Sequence, residues 1–276
     1  MQEATLAGAG GQNLFLRSWR PDQTPRGVVV IVHGFNAHSG YYQWTAEQLV
    51  AAGLAVYALD LRGRGRSQGE RYYVERFADY VADLASLMAE AKQREPGLPI
   101  YLLGHSAGGV VACLYALDRP SDLAGLICES FAFRTPAPGF VLAVFRALSH
   151  LIPHARAVRL NSADFSRDKA AVQAMQADPF VKDEVQPIAT MAALARADDV
   201  LEKALSRIAL PVLILHGDAD KAAKPSGSQY FHKQAASRDK TLKLYEGYFH
   251  DPLNDLGKEV VISDILAWIR ARLPAA

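Results

Sequence analysis

The stretch Tyr101-Leu102-Leu103-Gly104-His105-Ser106-Ala107-Gly108-Gly109 decides the fold of this chain. It starts as an apolar run, passes through the pattern Gly-x-Ser-x-Gly and continues into the helix-like segment 110–117. A serine on so tight a strand-to-helix turn is held in a strained conformation, and its neighbours must have almost no side chain. The turn therefore predicts that Ser106 is an exposed nucleophile above the edge of a sheet. A glycine-rich turn with an incidental serine is the alternative.

Further apolar runs on both sides of this turn predict the strands of a sheet. Six runs are dense in Val, Ile, Leu and Tyr: 28–32, 55–59, 100–103, 124–128, 212–215 and 241–245. Helix-like segments such as 75–94 separate most of them, and this alternation is typical of an α/β fold with a mostly parallel central sheet flanked by helices. The opening segment 14–19 predicts one strand of an antiparallel hairpin instead.

The strand–helix alternation stops between residues 132 and 207. Three helix-like stretches, roughly 139–152, 168–177 and 189–206, follow one another there without a convincing strand. We interpret this region, called the cap segment below, as a helical cap inserted after the sixth strand, where it would roof the site at the carboxyl ends of the strands. The prediction thus divides the chain into a first core part (1–131), the cap segment (132–207) and a second core part (208–276).

A serine hydroxyl becomes a good nucleophile only when a base takes its proton, and the sequence offers eight histidines for that role. In folds with this turn the chain order is serine, acid, histidine. His250 follows the last predicted strand and is the predicted base. Asp220 follows the strand 212–215 and is the predicted acid, which orients the imidazole. Glu129, at the end of the strand 124–128, is the alternative acid.

Three further residues near these positions are expected to have structural roles. His216 ends a strand and His232 lies in a predicted helix, so we expect surface or packing roles for both. Asp218 is expected to cap its turn by accepting hydrogen bonds from backbone N–H groups.

The negative charge of a tetrahedral intermediate needs two donors aimed at it in advance. In this fold one donor is the amide after the nucleophile, here Ala107, and the other belongs to the loop after the third strand. Gly34 allows close backbone approach in that loop, so the amide of Phe35 is the predicted second donor. His33 is expected to be a buried side chain that holds the loop.

Composition excludes several classes of partner and site. Thirty Lys and Arg against twenty-nine Asp and Glu leave a net charge of +1, so nucleic acid is not an expected partner. Cys113 and Cys128 are expected to be buried reduced thiols, because no CxxC pair or Cys/His cluster indicates a disulfide framework or a zinc site. The stretch 60–67 has Gly-x-Gly spacing but lacks the third glycine of a dinucleotide fingerprint, so a structural turn containing Asp60 and Arg62 is expected. Neither a metal nor a cofactor is predicted.

The N-terminus lacks the features of a signal peptide, so a cytoplasmic location is expected. The most apolar stretch, 139–152, is interrupted by Arg146 and His150 and is too short to cross a bilayer. Because it is apolar on more than one face, it is expected either to contact a membrane surface peripherally or simply to be a well-buried cap helix. The oligomeric state is not indicated.

The sequence resembles the monoacylglycerol lipase and lysophospholipase branch of the α/β-hydrolases, which includes the serine aminopeptidase-like hydrolases. The resemblance covers nearly the whole chain and is carried by the motifs His33-Gly34-Phe35 with His38-Ser39-Gly40 and Tyr42, Asp60-Leu61-Arg62-Gly63-Arg64-Gly65-Arg66-Ser67 with Gly69-Glu70-Arg71, Gly104-His105-Ser106-Ala107-Gly108, His216-Gly217-Asp218-Ala219-Asp220, and Tyr248-Phe249-His250 with Asn254.

This resemblance implies an α/β-hydrolase fold in which Ser106 is the nucleophile, Asp220 the acid, His250 the base, and the amides of Phe35 and Ala107 the oxyanion hole. It implies hydrolysis of a small acyl ester without a cofactor, with monoacylglycerol as the first substrate to test. It also implies that the surplus apolar surface of the stretch 139–152 lines an acyl-binding tunnel or meets a membrane that supplies lipid substrate. The stretch 129–133 departs from the family, which usually has a short Ser-Pro-like segment there. The resemblance therefore does not predict the residues or the shape of the acyl pocket.

Several other functions fit the same residues. Within enzymes these are a short-chain carboxylesterase, a cofactor-free perhydrolase and a peptidase acting at an N-terminal residue, for which Glu129 would bind the substrate amine. A ligand-binding protein on the same scaffold, without turnover, is the alternative from another class.

Overall fold

The structure is a computed structural model that describes residues 1–134 and 139–274. Its main sheet has eight strands, and two further strands are described with the cap segment below. The eight strands are β1 Gln2–Ala7, β2 Asn13–Trp19, β3 Gly27–Val32, β4 Leu54–Leu59, β5 Ile100–His105, β6 Gly125–Glu129, β9 Val212–Gly217 and β10 Lys240–Tyr245. Their spatial order is β1-β2-β4-β3-β5-β6-β9-β10. From β4 to β10 the neighbouring strands pair in parallel, whereas β1 and β2 pair as an antiparallel hairpin. The predicted sheet is thereby confirmed.

Helices cover both faces of this sheet. They are α1 Gln43–Ala51, α2 Phe77–Arg94, α3 Ala107–Asp118, α4 Gly139–Leu148, α5 Lys169–Ala177, α6 Ile188–Ala204, α7 Pro225–Gln234 and α8 Lys258–Arg270. Alternate residues of β3 enter the two halves of the core: Val28 and Val30 pack on the side of α2 and α3, and Val29 and Ile31 pack on the side of α1 and α8. A strand that is buried on both faces reads as a continuous apolar run, which is why the sequence revealed it.

The cap segment lies between β6 and β9, which are neighbours in the sheet. Its residues 135–138 lie outside the described residues. The helices α4, α5 and α6 occupy the three predicted helical stretches, although α4 ends at Leu148 rather than near residue 152. α6 packs against α3 and buries Ala193 and Leu201 in the same core, so the cap segment also provides the crossover between the two strands.

The expectation that the cap segment contains no strand was wrong. Two short strands, β7 Arg156–Val158 and β8 Gln186–Pro187, pair antiparallel in it as a separate two-stranded sheet. No residue of β7 is buried, so β7 has no apolar run to mark it in the sequence. Within the described ranges, no helix combines the length and the apolar composition needed to cross a membrane.

Candidate active site

The turn between β5 and α3 places Ser106 at the centre of the site. Its backbone angles, φ 53° and ψ −121°, lie outside the regions that L-residues prefer, as the sequence predicted for this turn. A side chain at position 108 would meet the carbonyl oxygen of Val32 at 2.1 Å, so only glycine fits there. The strain is maintained because the turn packs directly against the end of β3.

Three predicted side chains meet in one hydrogen-bonded line. Nε2 of His250 lies 2.8 Å from Oγ of Ser106, and Nδ1 of the same ring lies 2.7 Å from Oδ2 of Asp220. All three come from loops at the carboxyl ends of parallel strands, β5, β9 and β10, where such loops converge. With Nδ1–H donating to the carboxylate, the Nε2 lone pair faces the serine hydroxyl and can accept its proton.

Asp220 is held as a buried, ionised carboxylate. Burial opposes the charged form, but the charge of His250 and the hydrogen bonds from His216, His250 and Ala223 together keep the pKa of Asp220 well below its usual range. Its Oδ1 accepts backbone N–H bonds from Ala222 and Ala223 at 2.8 and 2.9 Å. A carboxylate that is ionised and fixed in this way stabilises an imidazolium without taking its proton.

His216 has a larger role than the sequence indicated. It is fully buried, so the surface alternative was wrong, and its Nε2 lies 3.0 Å from Oδ2 of Asp220. Its Nδ1 lies 2.7 Å from the hydroxyl of Ser228, which fixes the ring.

The two other residues with predicted structural roles lie outside the triad. His232 lies half-buried in α7, as predicted. Asp218 accepts the N–H of Gly247 at 2.6 Å, so it holds the loop that leads to His250 rather than its own turn.

The loop that contains Gly34 and Phe35 lies against the nucleophile. A Cβ on Gly34 would stand 2.7 Å from the Cβ of Ser106, so the backbone of this loop approaches the serine closely only because Gly34 has no side chain. Among the described residues, the amides of Phe35 and Ala107 donate to no protein acceptor. Two unpaired N–H groups beside a nucleophile are what an oxyanion hole requires.

His33 supports this loop from below, as expected from the sequence. Its ring is buried, Nδ1 lies 2.7 Å from the carbonyl oxygen of Gly34, and Nε2 accepts the N–H of Leu61 at 2.9 Å. Burial lowers the pKa of His33 to about 3. The imidazole is therefore neutral, with a donor and an acceptor, and it ties the two loops together.

A buried ion pair behind the same loop was missed in the sequence. Arg64 bonds to Glu184 of the cap segment, both side chains being almost completely buried, and Glu184 also accepts the N–H of Asn36 at 2.9 Å. The guanidinium of Arg64 lies 4.3 Å from the ring centre of Phe35. This pair joins the stretch 60–67 to the loop of the second predicted donor.

The remaining predicted roles in the stretch 60–67 are structural, as expected. Asp60 accepts hydrogen bonds from the backbone amides of Ser39 and Arg66, both at 2.8 Å. Arg62 forms a two-pronged ion pair with Asp83 of α2. These bonds fix neighbouring loops and place no charge in the site.

The cap segment covers the histidine. The ring of Phe165 stands edge-on to that of His250, with centroids 4.9 Å apart, and the backbone carbonyl of Asp164 accepts the N–H of His250 at 3.3 Å. Ser106 itself is only 7 % exposed, so the prediction of an exposed serine was wrong for this structure. The turn presents the hydroxyl to His250, and residues of the cap segment pack over that histidine.

Glu129, the alternative acid, does not contact the imidazole of His250. Its side chain is completely buried, and its Oε1 accepts the N–H of Leu253 at 2.8 Å. The structure therefore brings Asp220, and not Glu129, to Nδ1 of the histidine.

The two cysteines, Cys113 and Cys128, are buried free thiols with sulfur atoms 3.6 Å apart.

Comparison with known proteins agrees with this architecture. Residues 23–257 match the family model Hydrolase_4, described as serine aminopeptidase, S33. The chain is 34% identical to the monoacylglycerol lipase of Mycolicibacterium smegmatis, with 98% of both chains covered. It is also 34% identical to the human monoglyceride lipase, with 98% of this chain and 91% of the relative covered.

A solved structure, that of the Paleococcus ferrophilus monoacylglycerol lipase, superposes with a TM-score of 0.85 at 29% identity and covers 94% of this chain and 99% of that one. The family match spans most of the sequence, and the fold is the one that the resemblance implied. The chain therefore belongs to the Hydrolase_4 (serine aminopeptidase, S33) family of the α/β-hydrolases.

Proposed function

We propose that this chain is a monoacylglycerol lipase that hydrolyses its substrate through an acyl-enzyme on Ser106. The observation that carries the proposal is the continuous hydrogen-bonded line from Ser106 through His250 to Asp220, beside two unpaired backbone amides. The substrate class is supported by relatives that are named monoacylglycerol or monoglyceride lipases and match almost the full chain.

In the proposed reaction, Oγ of Ser106 attacks the ester carbonyl while Nε2 of His250 takes its proton. The amides of Phe35 and Ala107 donate to the oxyanion, and Asp220 stabilises the imidazolium. The imidazolium protonates the leaving glycerol oxygen, which leaves the acyl group on Ser106. Water that has lost a proton to His250 then releases the fatty acid.

The family description names a peptidase, but the geometry favours an ester substrate. A peptidase that binds an N-terminal amine needs a carboxylate that the substrate can reach, and Glu129 was the sequence candidate for that role. Its carboxylate is completely buried and already accepts the N–H of Leu253. The binding-protein alternative is disfavoured because a receptor has no use for a strained serine hydrogen-bonded to a histidine.

We also propose that residues 132–207 act as a cap that meets the lipid substrate at a membrane or micelle surface. Large apolar side chains at one end of this segment are open to solvent: Phe140 is 73% exposed and Leu151 is 77% exposed. Val144 and Ile152 are about half exposed beside them. Neighbouring exposed apolar groups favour contact with lipid, because such contact removes them from water.

The first test compares hydrolysis of 1-monoacylglycerol with that of p-nitrophenyl esters from acetate to palmitate. We expect turnover of all these esters, with the highest kcat/KM for the monoacylglycerol and no turnover by a Ser106→Ala blank. Preference for short esters would move the enzyme to the carboxylesterases. Labelling by a fluorophosphonate probe without turnover of any ester would direct the search to peptides, and absence of labelling would favour a binding protein.

The double variant Phe140→Ser with Leu151→Ser tests the membrane role of the cap segment. We expect about a tenfold or greater loss of activity on monoacylglycerol presented in vesicles, since roughly 2 kcal/mol or more of apolar burial would be lost. Activity on dissolved p-nitrophenyl acetate should stay within about twofold, because neither side chain contacts the triad. Val260→Ser, an exposed apolar position on α8, is the matched control. Equal loss on both substrates would contradict lipid contact.

A further inference from the structure

Three buried ionisable side chains lie together below the triad and take no part in the proposed mechanism. His105 ends β5, Glu129 ends β6, and Asp251 follows His250 in the chain. They are between 0 and 3% exposed. One nitrogen or oxygen from each lies within 4.8 Å of the other two.

Each of these side chains also bonds to the loop that carries the proposed base. Nε2 of His105 lies 3.1 Å from the carbonyl oxygen of His250, to which it donates. Oε1 of Glu129 accepts the backbone N–H of Leu253 at 2.8 Å, and Oδ2 of Asp251 accepts from the side-chain Nδ2 of Asn254 at 3.0 Å. The ends of β5 and β6 thus hold the loop 250–254 at two points, one of them at the histidine itself.

Among the residues that the structure describes, the other polar atom of each side chain has no hydrogen-bond partner. These atoms are Nδ1 of His105, Oε2 of Glu129 and Oδ1 of Asp251. The carboxyl groups of Glu129 and Asp251 approach each other within 4.8 Å in the interior, and within the described ranges no Lys or Arg forms an ion pair with either. Two like charges so close in a buried site do not both persist, so one group is expected to hold a proton.

We propose that Glu129 is a positioning residue that keeps its proton at neutral pH and, as a neutral carboxylic acid, fixes the loop carrying His250. Its Oε1 accepts the N–H of Leu253, and its Oε2–H donates to one buried water that joins it to Asp251. This inference rests on the proposed function, because the loop that it fixes carries the proposed base.

The electrostatics of the cluster support this assignment of the proton. Burial and the neighbouring charge of Asp251 raise the pKa of Glu129 well above its usual range. Burial lowers the pKa of His105, so its ring is neutral, and with Nε2–H donating to His250 its Nδ1 is an acceptor. The other titratable groups facing Glu129 are the phenols of Tyr42 and Tyr245, whose pKa values are raised chiefly by burial, with the charge of Glu129 a smaller cause.

The test compares Glu129→Gln, which reproduces a protonated carboxyl, with Glu129→Ala, which removes both bonds. The readout is the rate at which a fluorophosphonate probe labels Ser106 between pH 5 and 9, with steady-state kcat and KM beside it. We expect the Gln variant to stay within about threefold of the wild type at pH 7, and the Ala variant to lose roughly 10- to 100-fold in labelling rate and kcat with little change in KM. Exposed Glu202→Gln is the matched control.

The pH dependence of the labelling rate distinguishes a positioning role of Glu129 from a merely structural one. The wild type is expected to lose labelling rate at alkaline pH, where Glu129 ionises beside Asp251, and Glu129→Gln is expected to lack this loss.

The free energy of unfolding should fall over the same pH range. Because the pKa of Glu129 is raised in the folded state, the stabilisation by its proton is complete below the ordinary pKa of glutamate. It is lost as the pH rises through the folded-state pKa of Glu129. The melting temperature of the Gln variant should therefore exceed that of the wild type by roughly 3 °C or more at pH 9, and by less at pH 5.

Two results would overturn the proposal. A Gln variant as impaired as the Ala variant would mean that Glu129 must be ionised. Purified wild type that contains a stoichiometric divalent metal, absent from the Gln variant, would mean that a cation and not a proton neutralises the carboxylates. A failure of the proposed lipase function is distinguishable, because probe labelling does not depend on the natural substrate. If the wild type resists the probe, the pH dependence of melting still decides where the proton resides.

Discussion

Ser106→Ala is expected to lower kcat by about 10⁶-fold while leaving the fold intact. In the proposed mechanism this hydroxyl forms the covalent bond with the acyl carbon, and within the described ranges no other hydroxyl lies within hydrogen-bonding distance of the His250 ring. Steady-state hydrolysis of the preferred ester, together with circular dichroism and thermal melting, measures both parts of the expectation. Ser130→Ala is a matched control, since Ser130 is also a buried serine with positive φ, and its hydroxyl has no partner.

The loss should not grow when His250→Ala is added to Ser106→Ala. Nucleophile and base act as one unit, so each single variant removes nearly the whole contribution of the pair, and the residual rate comes from the oxyanion amides and binding alone. A double variant slower by the product of the two single losses would mean that the two residues act independently. Such a result would remove the hydrogen bond between them from the mechanism.

Asp220→Asn is expected to lower kcat by about 10⁴-fold, with little change in KM. An amide at this position can donate to Nδ1 of His250, and this bond would place the proton on Nε2, where the ring can no longer accept the proton of Ser106. The imidazolium would also lose the charge that stabilises it. Initial rates across the pH range measure the effect. Asp199→Asn, at a half-exposed acid that pairs with Arg146, is the control and should stay within a few-fold of the wild type.

The outcome for Asp220 also decides between the two acids that the sequence left open. If Asp220→Asn kept most of its activity while Glu129→Gln lost it, Glu129 would be the acid and Asp220 a structural carboxylate. The geometry leads us to expect the reverse, because Oδ2 of Asp220 lies 2.7 Å from Nδ1 of His250.

Most of the central sheet could be predicted because its information is local. Parallel strands that are buried on both faces appear as apolar runs, and the turn at Ser106 needs small residues at fixed positions on either side of the serine. The short strands β7 and β8 were missed for the opposite reason. β7 has no buried residue, and it is a strand only because β8, far along the chain, pairs with it.

The residues of the site also differ in whether local sequence or long-range packing brings them into contact. Chain order favoured Ser106, Asp220 and His250, because each follows a recognisable strand, but it left Glu129 open as the acid. His216 is four residues from Asp220, but only the conformation of their loop decides whether the two side chains meet. The pair Arg64 and Glu184 is separated by 120 residues, and no local pattern indicates that it forms.

The fold and the order of the reactive groups were therefore encoded in short stretches of sequence, where residue size, periodicity and turn chemistry leave little choice of backbone. Tertiary structure alone decided that Asp220 rather than Glu129 contacts His250, that Ser106 is buried, and that the carboxyl groups of Glu129 and Asp251 lie close together. The physical reason is that burial, and the charge state that depends on it, are properties of packing between distant segments. A residue's neighbours along the chain do not specify which groups will surround it in the folded protein.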